Sequence, residues 1–303
     1  MPGPFDVPDD GAVARPAAAA PRRAVLVLNA SAGTIAAMPD AGGRLAATLT
    51  AAGYDLLAPA QPDLPVDAQI DAALALNPEV VFVAGGDGTL RGAARRIAAS
   101  GAVLGVLPGG TMNRLAARLG LPPDPEAAAR SLAGATVARL PMAAVNGEPF
   151  LYQAVAGRAS RLVRFREMQR GAGVLGWVPL LRAALRLALR PPGRSLRLLC
   201  DSRPHRADVA VVTVPLPDAA PLLQIEAVRR RGMVGTLHQA WCWIRGRLAA
   251  APAVVACERP RLAVQGRARH LRVTLDGELH LVAAPLRIRL LPDGLPVLRP
   301  TRE

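Results

Sequence analysis

Apolar residues in the first part of the chain fall into short unbroken runs at 24–28, 80–84 and 103–107. Each is long enough for a strand and too short for a helix, the pattern of strands buried on both faces. Helical stretches separate them over about 40–52 and 66–76, from the turn at 85–89 to about 100, and from 111 to 119. Gly53 closes the first stretch, a short strand follows near Leu56, and Pro78 breaks the chain after the second. This alternation predicts a parallel sheet with helices on both faces.

After about Pro141 the pattern changes. Strand-like runs crowd together at 150–155, 195–199, 207–214, 222–228, 253–257, 261–264, 271–275 and 279–283, with short turns between them. One helix, about 174–190, interrupts them. The second half therefore reads as a β-sandwich. The last stretch, 286–298, holds a strand, a turn at Pro292-Asp293-Gly294 and a second short strand. The fold class expected is α/β plus β. A leader at 1–22 precedes an α/β domain at 23–140, a β-rich domain at 141–284, and a segment at 285–303 that returns to the first domain. The leader carries Pro2, Pro4, Pro8, Pro16, Pro21 and an alanine run. It lacks the charged-then-apolar layout of a signal peptide, so a disordered leader on a cytoplasmic protein is expected. No apolar run reaches the roughly 20 residues of a membrane-spanning helix.

Composition narrows the chemistry. With 303 residues, 51% hydrophobic and 20% charged, the chain has ample core for two domains. All 37 basic residues are arginine, which excludes a Walker-A lysine and Schiff-base catalysis. Aromatic residues make up 3%, too few for a platform that stacks single-stranded nucleic acid. Three dispersed cysteines and four dispersed histidines offer neither a disulfide framework nor a transition-metal site. The net charge of +14 suits an anionic lipid surface, a polyphosphate ligand or nucleic acid, or else plain solvation by an arginine-biased composition. No nucleic-acid-binding module accompanies the charge, so no nucleic-acid partner is expected.

Glycine-containing turns follow the buried strands around Gly33, Gly86 and Gly110. Gly85 and Gly109 are 24 residues apart, one strand–helix–strand unit, so the two turns belong side by side on one sheet edge. Each turn opens a helix whose free N–H groups suit phosphate. Asp87 stands in the first of these turns. A carboxylate there either handles magnesium or a nucleotide hydroxyl, or caps a helix. Gly171-Ala172-Gly173-Val174-Leu175-Gly176 matches a dinucleotide pattern, but it follows a charged stretch, with no acid about 20 positions on.

Gly85-Gly86-Asp87-Gly88-Thr89 and Leu107-Pro108-Gly109-Gly110-Thr111-Met112-Asn113 resemble the two nucleotide loops of the diacylglycerol kinase catalytic family, which shares its nucleotide motif with NAD kinases. Asn29–Gly33 resembles that family's first loop. Val145-Asn146-Gly147 resembles the entry to its second domain, and Thr274-Leu275-Asp276-Gly277-Glu278 its acidic motif. The resemblance implies an NAD kinase-like nucleotide domain followed by a lipid-binding β-sandwich. It implies ATP and Mg2+ as cosubstrates and a lipid hydroxyl as acceptor. Gly85, Gly86, Asp87, Gly88, Thr89, Gly110 and Thr111 would contact ATP, with Asn29 and Asn113 lining the crevice and Asp87 at the metal. Asp276 and Glu278 would be catalytic, Asp276 as the base. The same residues leave open a hairpin turn at Asp276-Gly277, a catalytically weak nucleotide- or lipid-binding relative, and an NAD kinase. The chain departs from the family at Arg114, where an aspartate is usual, at Pro141, and around 214–218 and 228–233. Arg182, Arg186 and Arg190 share one face of the helix at 174–190, with Arg158, Arg161, Arg164 and Arg166 just before it. Such a helix either packs on the β-domain or lies at the inner face of an anionic membrane.

Overall fold

The computed structural model describes residues 22–157, 196–199, 204–216, 219–229, 232–244, 250–251 and 253–301. The expected leader (save Arg22), the Gly171–Gly176 match and the arginine-bearing helix at 174–190 with its preceding arginines lie outside these residues.

Four parallel strands open the chain: β1 (Arg22–Leu28), β2 (Tyr54–Leu56), β3 (Val80–Gly85) and β4 (Val103–Pro108), in the order β2-β1-β3-β4. Helices α1 (Gly33–Ala36), α2 (Ala41–Ala51), α3 (Val66–Ala75), α4 (Asp87–Ser100), α5 (Arg114–Leu119) and α6 (Pro125–Ser131) connect and follow them. Every residue of β3 is buried, because α3 packs beside α4 and α2 beside α6 over the sheet. Helix α6 was not expected. Its signal is present all the same, since Asp124 caps Ala127 N–H at 2.7 Å and Pro125 occupies the first turn. Gln69 is buried at the end of β1, where its side chain bonds both the N–H and the carbonyl of Leu28 at 3.0 and 2.9 Å. Tyr54 meets Phe82 edge-on at 4.7 Å and donates to the Leu132 carbonyl.

The second half contains β5 (Thr136–Val145), β6 (Glu148–Phe150), β7 (Gln153–Gly157), β8 (Leu196–Leu199), β9 (His205–Ala207), β10 (Val209–Thr213) and β11 (Leu223–Val228). Helix α7 (Gly232–Ile244) follows, then β12 (Val254–Arg259), β13 (Arg261–Gln265), β14 (His270–Leu275), β15 (Glu278–Ala283) and β16 (Leu286–Arg299). One antiparallel sheet runs β12-β11-β10-β7-β14-β15. The other extends the first domain's sheet through β16 to β13, β8 and β9, with β5 and β6 alongside. Alternate residues of the two sheets meet in one core, with Val145, Phe150, Leu198, Val264 and Ile288 on one side and Ala156, Val212, Ile225, Val273 and Leu275 on the other. This is the expected sandwich.

Three local expectations are corrected. The run at 150–155 is two strands, interrupted at Leu151 and Tyr152. Pro292-Asp293-Gly294 is no turn, for β16 continues past it with a shift of register between Leu291 and Leu295. Helix α7 occupies a stretch between two expected strands to which no element was assigned. Its glycines, β-branched residues and two tryptophans are poor helix formers, but it lies over a satellite core of Val155, Val211 and Val228 through Cys242.

Candidate active site

The C-terminal ends of β1, β3 and β4 converge by backbone contact. Asn29 N–H donates to Ala84 O at 2.9 Å, Gly109 N–H to Gly85 O at 2.8 Å, and Thr34 N–H to Gly109 O at 2.9 Å. The second and third turns touch so closely that a Cβ on Gly110 would stand 2.6 Å from Gly86 Cα. A Cβ on Gly109 would stand 2.5 Å from Ile35 and 3.1 Å from Gly85 Cα. Glycine is required here by proximity rather than by backbone angle. Side chains then lock the turns. Asn29 Nδ2 donates to Thr89 Oγ1 at 2.8 Å while its Oδ1 accepts from both groups of Ser31. Asn113, at φ 46°, accepts Gly110 N–H at 2.9 Å. Thr111 is exposed at the rim. Gly86 precedes α4 without any side-chain cap, so the helix presents uncapped amides to the crevice.

Asp87 is a cap, but of α5 rather than of its own helix. Its two oxygens accept Arg114 N–H and Leu115 N–H, each at 3.1 Å, across 27 and 28 residues of sequence. One carboxylate thus ties the two glycine turns together. Half of its roughly four lone pairs remain available.

From the other domain comes the hairpin β14–β15. Leu275 pairs with Glu278, and Asp276 and Gly277 turn the chain with φ of 50° and 98°, a type I′ geometry. Asp276 is only 6% exposed. Its Oδ2 accepts Leu151 N–H at 2.6 Å; its Oδ1 accepts Tyr152 N–H at 2.9 Å and Gln153 N–H at 3.0 Å. Here lies the reason β6 and β7 are separate strands: the intervening amides serve the carboxylate instead of a ladder. Tyr152 also donates its hydroxyl to Asp276 O. Burial lifts the Asp276 carboxyl to about 6, outweighing those amide bonds and the field of Arg91, all of which pull it down.

Glu278 reaches from the hairpin to α4. It pairs with Arg91 of α4, and a Cβ on Gly88 would meet its Oε1 at 2.6 Å. His280 Nε2 lies 3.9 Å away, its pKa held down by burial and by Arg91. Of the expected residues, Glu278 and Gly88 are thus brought together from the two halves of the chain. Three participants were missed by sequence reading. Arg91 was findable, since it sits three residues after Gly88 and so on the same helix face. Tyr152 carries the Arg114 guanidinium 5.0 Å above its ring, and Arg118 donates to the carbonyls of Val214 and Pro215 at 3.0 and 2.6 Å. These last two depend on the docking of α5 against the sandwich, for which no short-range signal exists.

Among the described residues no three His, Cys, Asp or Glu side chains gather to hold a metal ion. The donors that remain suit an ion that arrives with a polyphosphate and takes one carboxylate from the protein, the usual manner of magnesium. Asp87, with lone pairs left over beside uncapped amides, is the residue that fits.

The model of the diacylglycerol kinase catalytic domain matches residues 23–145. A protein from Pseudomonas aeruginosa (strain UCBPP-PA14) called "Probable lipid kinase YegS-like" is 39% identical over 95 residues, 31% of this chain and 31% of that one. A protein of the same name from Klebsiella pneumoniae (strain 342) is 31% identical over 128 residues, covering 41% and 43%. The chain thus spans less than half the length of these curated relatives. The crystal structure of a diacylglycerol kinase from Bacillus anthracis str. Sterne superposes with a TM-score of 0.66 at 16% identity, over 92% of this chain and 97% of that one, and shares its fold. The likeness to the diacylglycerol kinase catalytic-domain family is thus carried by residues 23–145.

Proposed function

We propose that this chain is an ATP-dependent lipid kinase working in the groove between its two domains. The observation that carries the reading is the meeting of the Asp276–Glu278 hairpin with the uncapped first turn of α4, seen in the Arg91–Glu278 pair and the Gly88–Glu278 approach. The turns at Gly85–Thr89 and Gly109–Asn113 cradle the triphosphate with backbone amides. A magnesium ion carried by the nucleotide and held by Asp87 would neutralise charge on the phosphates. The acceptor hydroxyl oxygen attacks the γ-phosphorus, the bond to the β-phosphate oxygen breaks, and ADP leaves. The hydroxyl proton passes to Asp276. Oδ1 is filled by two amides, so the free lone pair on Oδ2 is the receiving site. A carboxyl lifted to about 6 is a suitable base near neutral pH. Arg91 holds Glu278 over α4 and keeps the two halves in register. The acceptor is a diacylglycerol-like or other hydroxylated lipid, met at the face of an anionic membrane.

Incubation with labelled ATP and mixed lipid vesicles tests this. Label should enter a lipid with wild type and fall at least about a hundredfold with Asp276→Asn. Label in NAD, or in no product while nucleotide still binds, sinks the reading. The second outcome would favour a binding protein, for which the engagement of Asp276 by three backbone amides already speaks.

A further inference from the structure

Beside the groove lies a recess of about 340 Å3 that the reaction above leaves unused. Met112, Arg114, Ala117 and Arg118 wall it on the α5 side, and Tyr152, Gln153 and Thr213 on the sandwich side. Arg114 and Arg118 are four residues apart and therefore share one helix face. Among the described residues neither guanidinium has a carboxylate within ion-pair distance. Arg118 fixes one nitrogen on the Val214 and Pro215 carbonyls, while its Nε is sealed from solvent with no hydrogen-bond partner. Burial lowers its pKa, and the one acid that opposes this through space is Asp276, whose oxygens are engaged by amides. A cation held this way is unfavourable until an anion joins it. Tyr152 steadies the Arg114 fork, and the Gln153 amide and Thr213 hydroxyl add polar groups at the same wall.

The position matters as much as the charge. Tyr152 and Gln153 turn their side chains to the recess and give their backbone N–H groups to Asp276. An anion here lies next to the acceptor's place, whereas the nucleotide phosphates belong to the amides of the Gly85–Thr89 turn.

We propose that Arg114 and Arg118 form a second anion site that takes the phosphate ester of a phospholipid, separate from the triphosphate site. A guanidinium fork matches two phosphate oxygens, which a neutral glyceride cannot offer. The proposal rests on the kinase reading for its place in the reaction but not for its binding chemistry. The phosphate belongs either to the acceptor itself or to a neighbouring lipid.

Calorimetry with glycerol 3-phosphate on the full chain, saturated with ADP, tests the site directly. Wild type should bind, and Arg118→Met and Arg114→Gln should each weaken binding about tenfold or more while ADP affinity shifts less than about threefold. Arg114→Gln guards against a folding defect, since its side chain holds no backbone carbonyl. Vesicle assays then separate the two sources. If the phosphate is the acceptor's, a glycerol-headed phospholipid is labelled in preference to diacylglycerol, and both substitutions abolish the preference. If it is a neighbour's, phosphatidate stimulates labelling of diacylglycerol, and the substitutions abolish the stimulation. ADP binding without glycerol 3-phosphate binding overturns the site and spares the kinase reading. Equal loss of both affinities in the variants also overturns it, by placing the arginines at the triphosphate. A folded chain that binds neither ligand overturns both.

Discussion

The two walls of the groove are made from different materials. On the α/β side the crevice is backbone: strand ends, glycines and amides, with side chains such as Asn29, Asn113 and Asp87 serving as ties. On the sandwich side it is one buried carboxylate, Asp276, around which three amides are arranged, while the Tyr152 hydroxyl holds its backbone carbonyl. The first wall depends on space, the second on charge. A backbone wall fails when atoms are added to it, and a carboxylate wall fails when its oxygens or its protonation change.

The largest effect should come from the second wall. Asp276→Asn turns an amide donor toward a backbone donor and should cost about 3 kcal/mol, read as a lower urea midpoint. Its pH dependence is equally specific. The carboxyl is lifted from 3.8 to about 6 in the folded protein, so the stability it permits is complete below pH 3.8 and is lost as pH rises through 6. Wild type should lose up to about 3 kcal/mol more than Asp276→Asn between pH 4 and pH 7. Equal pH profiles for the two would show that burial does not govern this group.

Gly110→Ala comes next. Its Cβ would meet Gly86 Cα, a backbone atom that cannot swing aside, so about 1–3 kcal/mol should be lost together with ADP affinity. Asp87→Ala removes the cap of α5 and should cost about 1 kcal/mol, with weaker ADP binding in titration calorimetry. Gly88→Ala makes the sharpest contrast with Gly110→Ala. Its Cβ meets only the flexible end of half-exposed Glu278, so the unfolding free energy should change by less than about 0.5 kcal/mol. Lipid labelling should fall nonetheless, because Glu278 is displaced from Arg91. Equal destabilisation by the two alanines would dissolve the distinction between the walls.

The same contrast explains what the sequence made legible. The α/β wall is local: a buried run, a glycine pair and a helix start, all within five or six residues, so Gly85–Thr89 and Gly109–Asn113 were readable as neighbours. The Asp276-Gly277 turn was readable too, and it is a type I′ hairpin. What could not be read is who receives the Asp276 carboxylate. Leu151 and Tyr152 look like strand residues, and only the arrival of a side chain 124 and 125 positions later diverts their amides. Arg118 on the Val214 carbonyl, 96 residues away, is hidden for the same reason. Helix α7 was missed because packing on Val155 and Val211 overrides its poor propensity.

Strand β16 sets a mechanical limit. Its early residues pair with β13 inside the sandwich, and its later ones reach β4 at Leu104 in the α/β sheet, with β5 running along both. A single continuous ribbon thus splints the two lobes, and swinging them apart would tear ladder bonds. Whatever passes between the lobes must then be admitted by hairpin tips and long side chains such as Arg91 and Glu278, over a mouth of fixed gape.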